Sequence, residues 1–161
     1  MIVVSNTTPL RYLIAIRQEH LLVQLFKTIH IPGAVFEELT NPRTPGFVRD
    51  YVSAQPAWLK VHQVPDSELR DLPRLIHSGE REAIAVAAEL NADLILMDER
   101  SGRRAAASRN LKLSGTLGVL EMADSLKLIG DFPQTLRTLT ANGFYLRPTL
   151  HEELLRRHGA R

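Results

Sequence analysis

Apolar residues in this chain fall into short continuous runs separated by stretches with helical spacing. Ile2–Ser5, Ile29–Ile31 and Asp93–Met97 are mainly apolar at consecutive positions, the pattern of a strand covered on both faces. Leu59–Val64 alternates with period two and reads as a strand nearer a sheet edge, and Leu111–Leu113 reads as one more short strand. Helical spacing predicts helices over Thr8–Ile16, Leu21–Thr28, Ala34–Leu39 and Thr44–Ser53. Pro9 falls in the first turn of its helix, where a missing N–H costs nothing, and Asn41-Pro42 stops the third. Further helices are expected from Asp66 or Ser67 through Ile76, over Gly79–Leu90 with Ser78 as N-cap, over Glu99–Arg109 and over Thr116–Leu126. Asp131 with Phe132-Pro133 opens another to Ala141, closed by Asn142-Gly143, and Thr149 caps a last one to Arg157.

Strands that alternate with helices imply parallel pairing through right-handed crossovers. The expected fold is α/β, a three-layer α/β/α sandwich around a central, mainly parallel sheet. With 161 residues and no linker or low-complexity segment, one domain is expected over 1–161, with 143–161 as a C-terminal helical extension.

Composition narrows the chemistry. The chain has no cysteine, which excludes disulfides, thiolate nucleophiles and zinc–thiolate sites and fits a cytoplasmic location. The apolar N-terminus lacks the basic segment of a secretory signal, and no apolar run reaches the roughly 20 residues of a membrane span. A net charge of +2 is a weak pointer to nucleic acid. The basic groups at Arg100, Arg103, Arg104 and Arg109, and at Arg156, Arg157 and Arg161, read equally as solvated helix faces. The six histidines lack metal spacing, and no P-loop, dinucleotide fingerprint or nucleophile elbow is present.

What remains is a set of acids and amides placed at strand ends or helix starts. Asn6 follows the first strand, Asp98 ends the central one with the adjacent Glu99 expected to face elsewhere, and Glu80 opens a helix. Carboxylates gathered at the carboxyl edge of a parallel sheet repel one another unless a cation lies between them, and hard oxygen ligands select Mg²⁺ or Mn²⁺. Each position also has a plainer role. Asn6 and Asp98 suit helix caps, and Glu80 suits the positive end of a helix dipole. Glu82 lies two residues from Glu80, so the two do not share a helix face. Glu37 and Glu38 sit on the short helix after the second strand. Ser114-Gly115-Thr116 makes a strand-to-helix turn whose N–H groups and hydroxyls suit a phosphate or a metal-bound water, or an ordinary helix cap.

Five segments in order resemble the PIN-domain family, including VapC-type toxin ribonucleases. They are Val-Val-Ser-Asn-Thr-Thr-Pro-Leu at 3–10, Ile-Pro-Gly-Ala-Val-Phe-Glu-Glu-Leu at 31–39, and Gly-Glu-Arg-Glu-Ala-Ile-Ala-Val-Ala at 79–87. Leu-Ile-Leu-Met-Asp-Glu-Arg-Ser-Gly-Arg at 94–103 and Gly-Thr-Leu-Gly-Val-Leu at 115–120 complete them. Gly-Phe-Tyr-Leu at 143–146 is similar to a segment of a bacterial PIN-like subfamily of largely unassigned function.

The resemblance implies a Mg²⁺- or Mn²⁺-dependent endoribonuclease acting as the toxin of a toxin–antitoxin pair. It maps the catalytic set to Asn6, Glu38, Glu80, Asp98 and Thr116, with Asn6, Glu80 and Asp98 as metal ligands and Glu82 as a rival acid to Glu80. Arg100, Arg103 and Arg104 would hold RNA phosphates. The implied partners are RNA, an antitoxin protein and a second copy of the chain in a homodimer, with no membrane. Leu10, Tyr12, Leu13 and the 47–51 region are candidates for a groove that takes a partner helix. Asn6 departs from the family's usual Asp and removes one negative charge. That departure motivates a second reading, a catalytically weak or inactive PIN-like module that binds RNA or a protein. A response-regulator-like receiver is a third, disfavoured because its acidic pair and late lysine are missing.

Overall fold

The computed structural model describes residues 1–69 and 78–159. Five strands form one sheet: β1 (Val3–Ser5), β2 (Ile29–Pro32), β3 (Leu59–His62), β4 (Leu94–Leu96) and β5 (Leu113–Ser114). The order across the sheet is β3-β2-β1-β4-β5, and every pair is parallel. Nearest to the sheet centre, Val3, Val4 and Ser5 face Leu94, Ile95 and Leu96 of β4. As the period-two pattern predicts, β3 is an edge strand, with Lys60 and Val61 exposed.

Alternation along the strands divides the apolar residues between two cores. Val3, Ile29, Ile31 and Leu96 pack into the larger one, with α1 (Thr7–Ala15), α2 (His20–Phe26), α3 (Gly33–Leu39), α4 (Gly46–Ser53) and α7 (Thr116–Ser125). Val4, Ile95 and Met97 point the other way, into a smaller core closed by α5 (Ser78–Glu89) and α6 (Arg100–Ala107). Helices α8 (Phe132–Ala141) and α9 (Pro148–His158) extend the larger core through Phe132, Leu136, Leu139 and Leu154. The result is the expected α/β/α sandwich.

Several boundaries differ from the sequence pattern for local reasons. Asp131 caps α8 as expected, its carboxylate accepting from Gln134 N–H at 3.0 Å. Thr149 lies inside α9 because Arg147 takes the N-cap position and Pro148 the first turn. Strand β5 starts two residues later than expected. The turn that ends α6 runs on through Asn110 at φ 60° to Leu111, whose N–H bonds Ala106 C=O at 3.2 Å. Of the helix expected from Asp66 or Ser67, residues Asp66–Leu69 form a 3₁₀ turn, and its remainder to Ile76 lies outside the described residues. Leu10 and Leu13 are fully buried in the core, so neither lines a surface groove.

The topology fixes where a ligand can sit. The chain leaves β1 toward β2 on one side and later adds β4 on the other. Strand order therefore reverses beside β1, and a crevice opens beyond its carboxyl end. Asn6 is the first residue past that end, its N–H still held to Leu96 C=O at 3.1 Å.

Candidate functional site

The crevice is a cleft of about 300 Å³ lined by Asn6, Thr7, Thr8, Glu38, Glu80 and Glu99, with Gly79 and Arg11. Asn6-Thr7-Thr8 organises it. Asn6 sits at the N-cap position of α1, yet its side chain makes no capping bond. Its Nδ2 donates instead to Glu99 Oε2 at 2.7 Å. Thr8 Oγ1 donates to Glu99 Oε1, and Thr7 Oγ1 donates to Glu38 Oε2. Three consecutive side chains thus hold two carboxylates brought in from α3 and from the start of α6.

The other Asn6 atom is the most telling. Asn6 is 2% exposed, and its Oδ1 has no hydrogen-bond partner. A buried polar atom left unmatched costs roughly 1–3 kcal/mol, so such atoms are rare in folded proteins. An amide oxygen in a cleft of carboxylates is also a hard donor of the type that Mg²⁺ and Mn²⁺ accept.

Two glycines make room for the acids. An added Cβ at Gly79 would come within 2.8 Å of Glu38 Oε1, so the first turn of α5 must be bare for that carboxylate to lie over it. A Cβ at Gly102 would meet Met97 Sδ first and Glu80 Cγ at 3.0 Å, so α6 packs over Met97 and the Glu80 stem only through a glycine. Glu80 is itself buried, at 7% exposure.

The remaining predicted residues lie elsewhere. Asp98 does not line the cleft. Its Oδ1 accepts from Thr116 N–H at 3.0 Å and its Oδ2 from Thr116 Oγ1 at 2.6 Å, which fastens the end of β4 to the start of α7. Burial pushes the Asp98 carboxyl up, the two Thr116 bonds pull it back, Glu99 adds a smaller upward push and Arg103 a small downward one. Thr116 is fully buried and serves this joint. Glu82 turns to the opposite side of α5, where its carboxylate lies 3.4 Å from Ala34 N–H. Burial raises its carboxyl, the Ala34 bond opposes the rise, and Glu37, Asp66 and Glu38 add to it. Arg100, Arg103 and Arg104 are exposed on α6, and none lines the cleft.

Glu99 is the acid that sequence reasoning placed wrongly, as facing away. It follows Asp98 directly; the extended backbone at Glu99 (φ −70°, ψ 132°) turns its carboxylate toward β1 while Thr116 holds that of Asp98. Arg11 was also missed, although its signal was legible: it lies one helical turn after Thr7 and shares its face. Among the described residues, no group of three or more His, Asp or Glu is drawn together closely enough to hold a metal ion unaided.

A parallel sheet with a carboxylate-lined crevice at its switch point is the setting in which α/β domains bind ligands. The chain belongs to the PIN-domain family: a family model described as a PIN domain matches residues 2–160. PIN domains are generally nucleases that use divalent metals, and the fold here is of that nuclease type. Among curated proteins, none matches the chain. No helix among the described residues is long and apolar enough to cross a membrane.

Proposed function

We propose that the protein is a Mg²⁺- or Mn²⁺-dependent endoribonuclease, the toxin of a cytoplasmic toxin–antitoxin pair. The observation that carries this is the buried, unmatched Asn6 Oδ1 in a cleft lined by the carboxylates of Glu38, Glu80 and Glu99. The donor set fits a hard dication, and Asn6, Glu80 and Glu99 are the residues that would hold it. Asp98 and Thr116 then act by fixing the strand end from which Glu99 departs. When bound, such an ion supplies positive charge to phosphoryl oxygens and lowers the pKa of water. The chain's own groups do the rest. Glu38, oriented by Thr7, accepts the proton of the attacking water. Thr8 and Asn6 keep Glu99 aimed inward. The new P–O bond forms as the bond to the leaving oxygen breaks, and that oxygen takes a proton from solvent.

The experiment is cleavage of end-labelled RNA with Mn²⁺ or with EDTA, for wild type and Glu80→Gln. Cleavage by wild type that needs Mn²⁺ and is lost in Glu80→Gln supports the reading. No cleavage of any RNA pool by wild type sinks it. In that case the inactive PIN-like module leads, a reading favoured by one specific contact: the Asn6 amide spans to Glu99 at 2.7 Å and joins without a cation what two carboxylates would join only with one. An antitoxin and a second copy of the chain are the partners that accompany the nuclease reading.

A further inference from the structure

The acidic cleft has an electrostatic problem if its substrate is a polyanion. Three carboxylates line it against one guanidinium, that of Arg11. A bound dication offsets part of that charge, and an approaching strand still needs cations beside the cleft. The expected phosphate holders, Arg100, Arg103 and Arg104, do not line it.

A second recess of about 270 Å³ adjoins the cleft and shares Thr7, Arg11 and Glu38 with it. Its outer wall is the loop between α3 and α4, with Asn41, Arg43 and Thr44. That loop is fastened on both sides. Thr44 Oγ1 donates to Glu38 C=O at 2.7 Å, Arg49 Nη1 donates to Pro42 C=O at 3.1 Å, and Arg43 N–H donates to Asn41 Oδ1 at 2.9 Å. Arg11 and Arg43 are both exposed, and neither takes part in an ion pair among the described residues. Two guanidinium groups outside any such ion pair, one on a helix 5.6 Å from the Tyr12 ring centroid and one on a braced loop, therefore line a recess that adjoins the cleft. The cleft lies at the small end of ligand sites and the recess just below it, room for a phosphate and part of its nucleotide rather than for a large ligand.

We infer that a single-stranded substrate leaves the acidic cleft across Thr7 and runs along the α3–α4 loop, with Arg11 and Arg43 each holding a backbone phosphate. This rests on the nuclease reading and adds to it the direction of the strand and the residues that bind it. The planar guanidinium suits paired contact with phosphate oxygens, so glutamine at either position removes a charge-assisted contact.

The test is fluorescence anisotropy with a labelled single-stranded RNA in EDTA, so that binding is read without cleavage, at several salt concentrations. Each phosphate contact on a single strand contributes about 0.7 to the slope of log affinity against log salt. Arg11→Gln and Arg43→Gln are each expected to lower that slope by about 0.7 and the double variant by about 1.4. Both side chains are exposed, so melting temperature stays at the wild-type value. Wild-type binding with a slope unchanged in both variants, and lowered in Arg103→Gln and Arg104→Gln instead, overturns this path and leaves the nuclease reading standing. Wild type that binds no RNA in EDTA and none with Ca²⁺ in its place overturns both.

Discussion

Replacing Asn6 by Asp restores the acid usual in the family, yet the geometry predicts that it destabilises the metal-free protein. Asn6 Nδ2 and Glu99 Oε2 are 2.7 Å apart, and the substitution puts a second carboxylate oxygen where a donor now stands. Two unit charges at that spacing repel by about 6 kcal/mol at an effective dielectric of about 20. The pair escapes part of this by binding a proton. Keeping a carboxyl of ordinary pKa near 4 protonated costs about 1.4 kcal/mol per pH unit, hence about 3 kcal/mol at pH 6 and about 5 at pH 8. Both are upper bounds, since Glu99 can swing away at the expense of its Thr8 bond. For a domain of this size each kcal/mol moves the melting temperature by roughly 2–4 °C. Asn6→Asp in EDTA should therefore melt on the order of 10 °C below wild type at pH 8, and the gap should shrink at pH 6. Saturating Mn²⁺ should raise the variant's melting temperature by more than it raises the wild type's, because the cation replaces the lost donor. The assay is thermal unfolding by circular dichroism at both pH values with EDTA or Mn²⁺. An Asn6→Asp protein as stable as wild type in EDTA at pH 8 refutes the reasoning.

Other substitutions test separate joints. Gly79→Ala adds a methyl within 2.8 Å of Glu38 Oε1. Any gain in helix propensity, at most about 1 kcal/mol, is offset by the displaced Thr7–Glu38 bond, so stability changes little while Mn²⁺-dependent cleavage falls at least about tenfold. Unchanged Mn²⁺-dependent cleavage would contradict the role given to Glu38. Glu99→Gln should abolish Mn²⁺-dependent cleavage with its melting temperature nearly kept. Asp98→Asn, which retains an acceptor for Thr116 N–H, should keep measurable cleavage, and the reverse ranking would return Asp98 to the site. His30 bonds His62 at 2.8 Å, and burial first, then His62 and Lys60, lower its pKa from 6.5. A depressed histidine stabilises the fold above its unfolded value, so stability should fall as pH drops below about 6.5. His30→Gln should flatten that slope in urea titrations, and an unaltered slope would exclude the pair as its source. Asp131→Ala removes the α8 cap and should cost about 0.5–2 kcal/mol in the same assay.

The sheet was legible because its strands are runs of Val, Ile and Leu too short for helices, and the weaker edge strand β3 announced itself by alternation. The cleft was legible in part. Asn6 and Glu80 stand where the parallel topology brings a strand end and a helix start together, which spacing alone suggests. The choice between Asp98 and Glu99 was not visible. Adjacent residues after a strand point to different sides, and the winner depends on Thr116, eighteen positions later, taking Asp98. The same holds for Glu80 against Glu82, which the packing of α5 against β2 and α6 decides. Arg43 was hidden because a lone cation after a proline has no sequence mark. Its importance comes from the loop folding back onto Glu38.

The central claim is that Asn6, Glu80 and Glu99 form a divalent cation site. It is tested most directly by calorimetric titration of Mn²⁺ into wild type, Glu80→Gln and Glu99→Gln. The account predicts one binding event in the wild type, weakened at least about tenfold in each variant, since each removes a carboxylate ligand. Wild-type binding that neither variant changes would contradict the account, as would no binding at millimolar Mn²⁺.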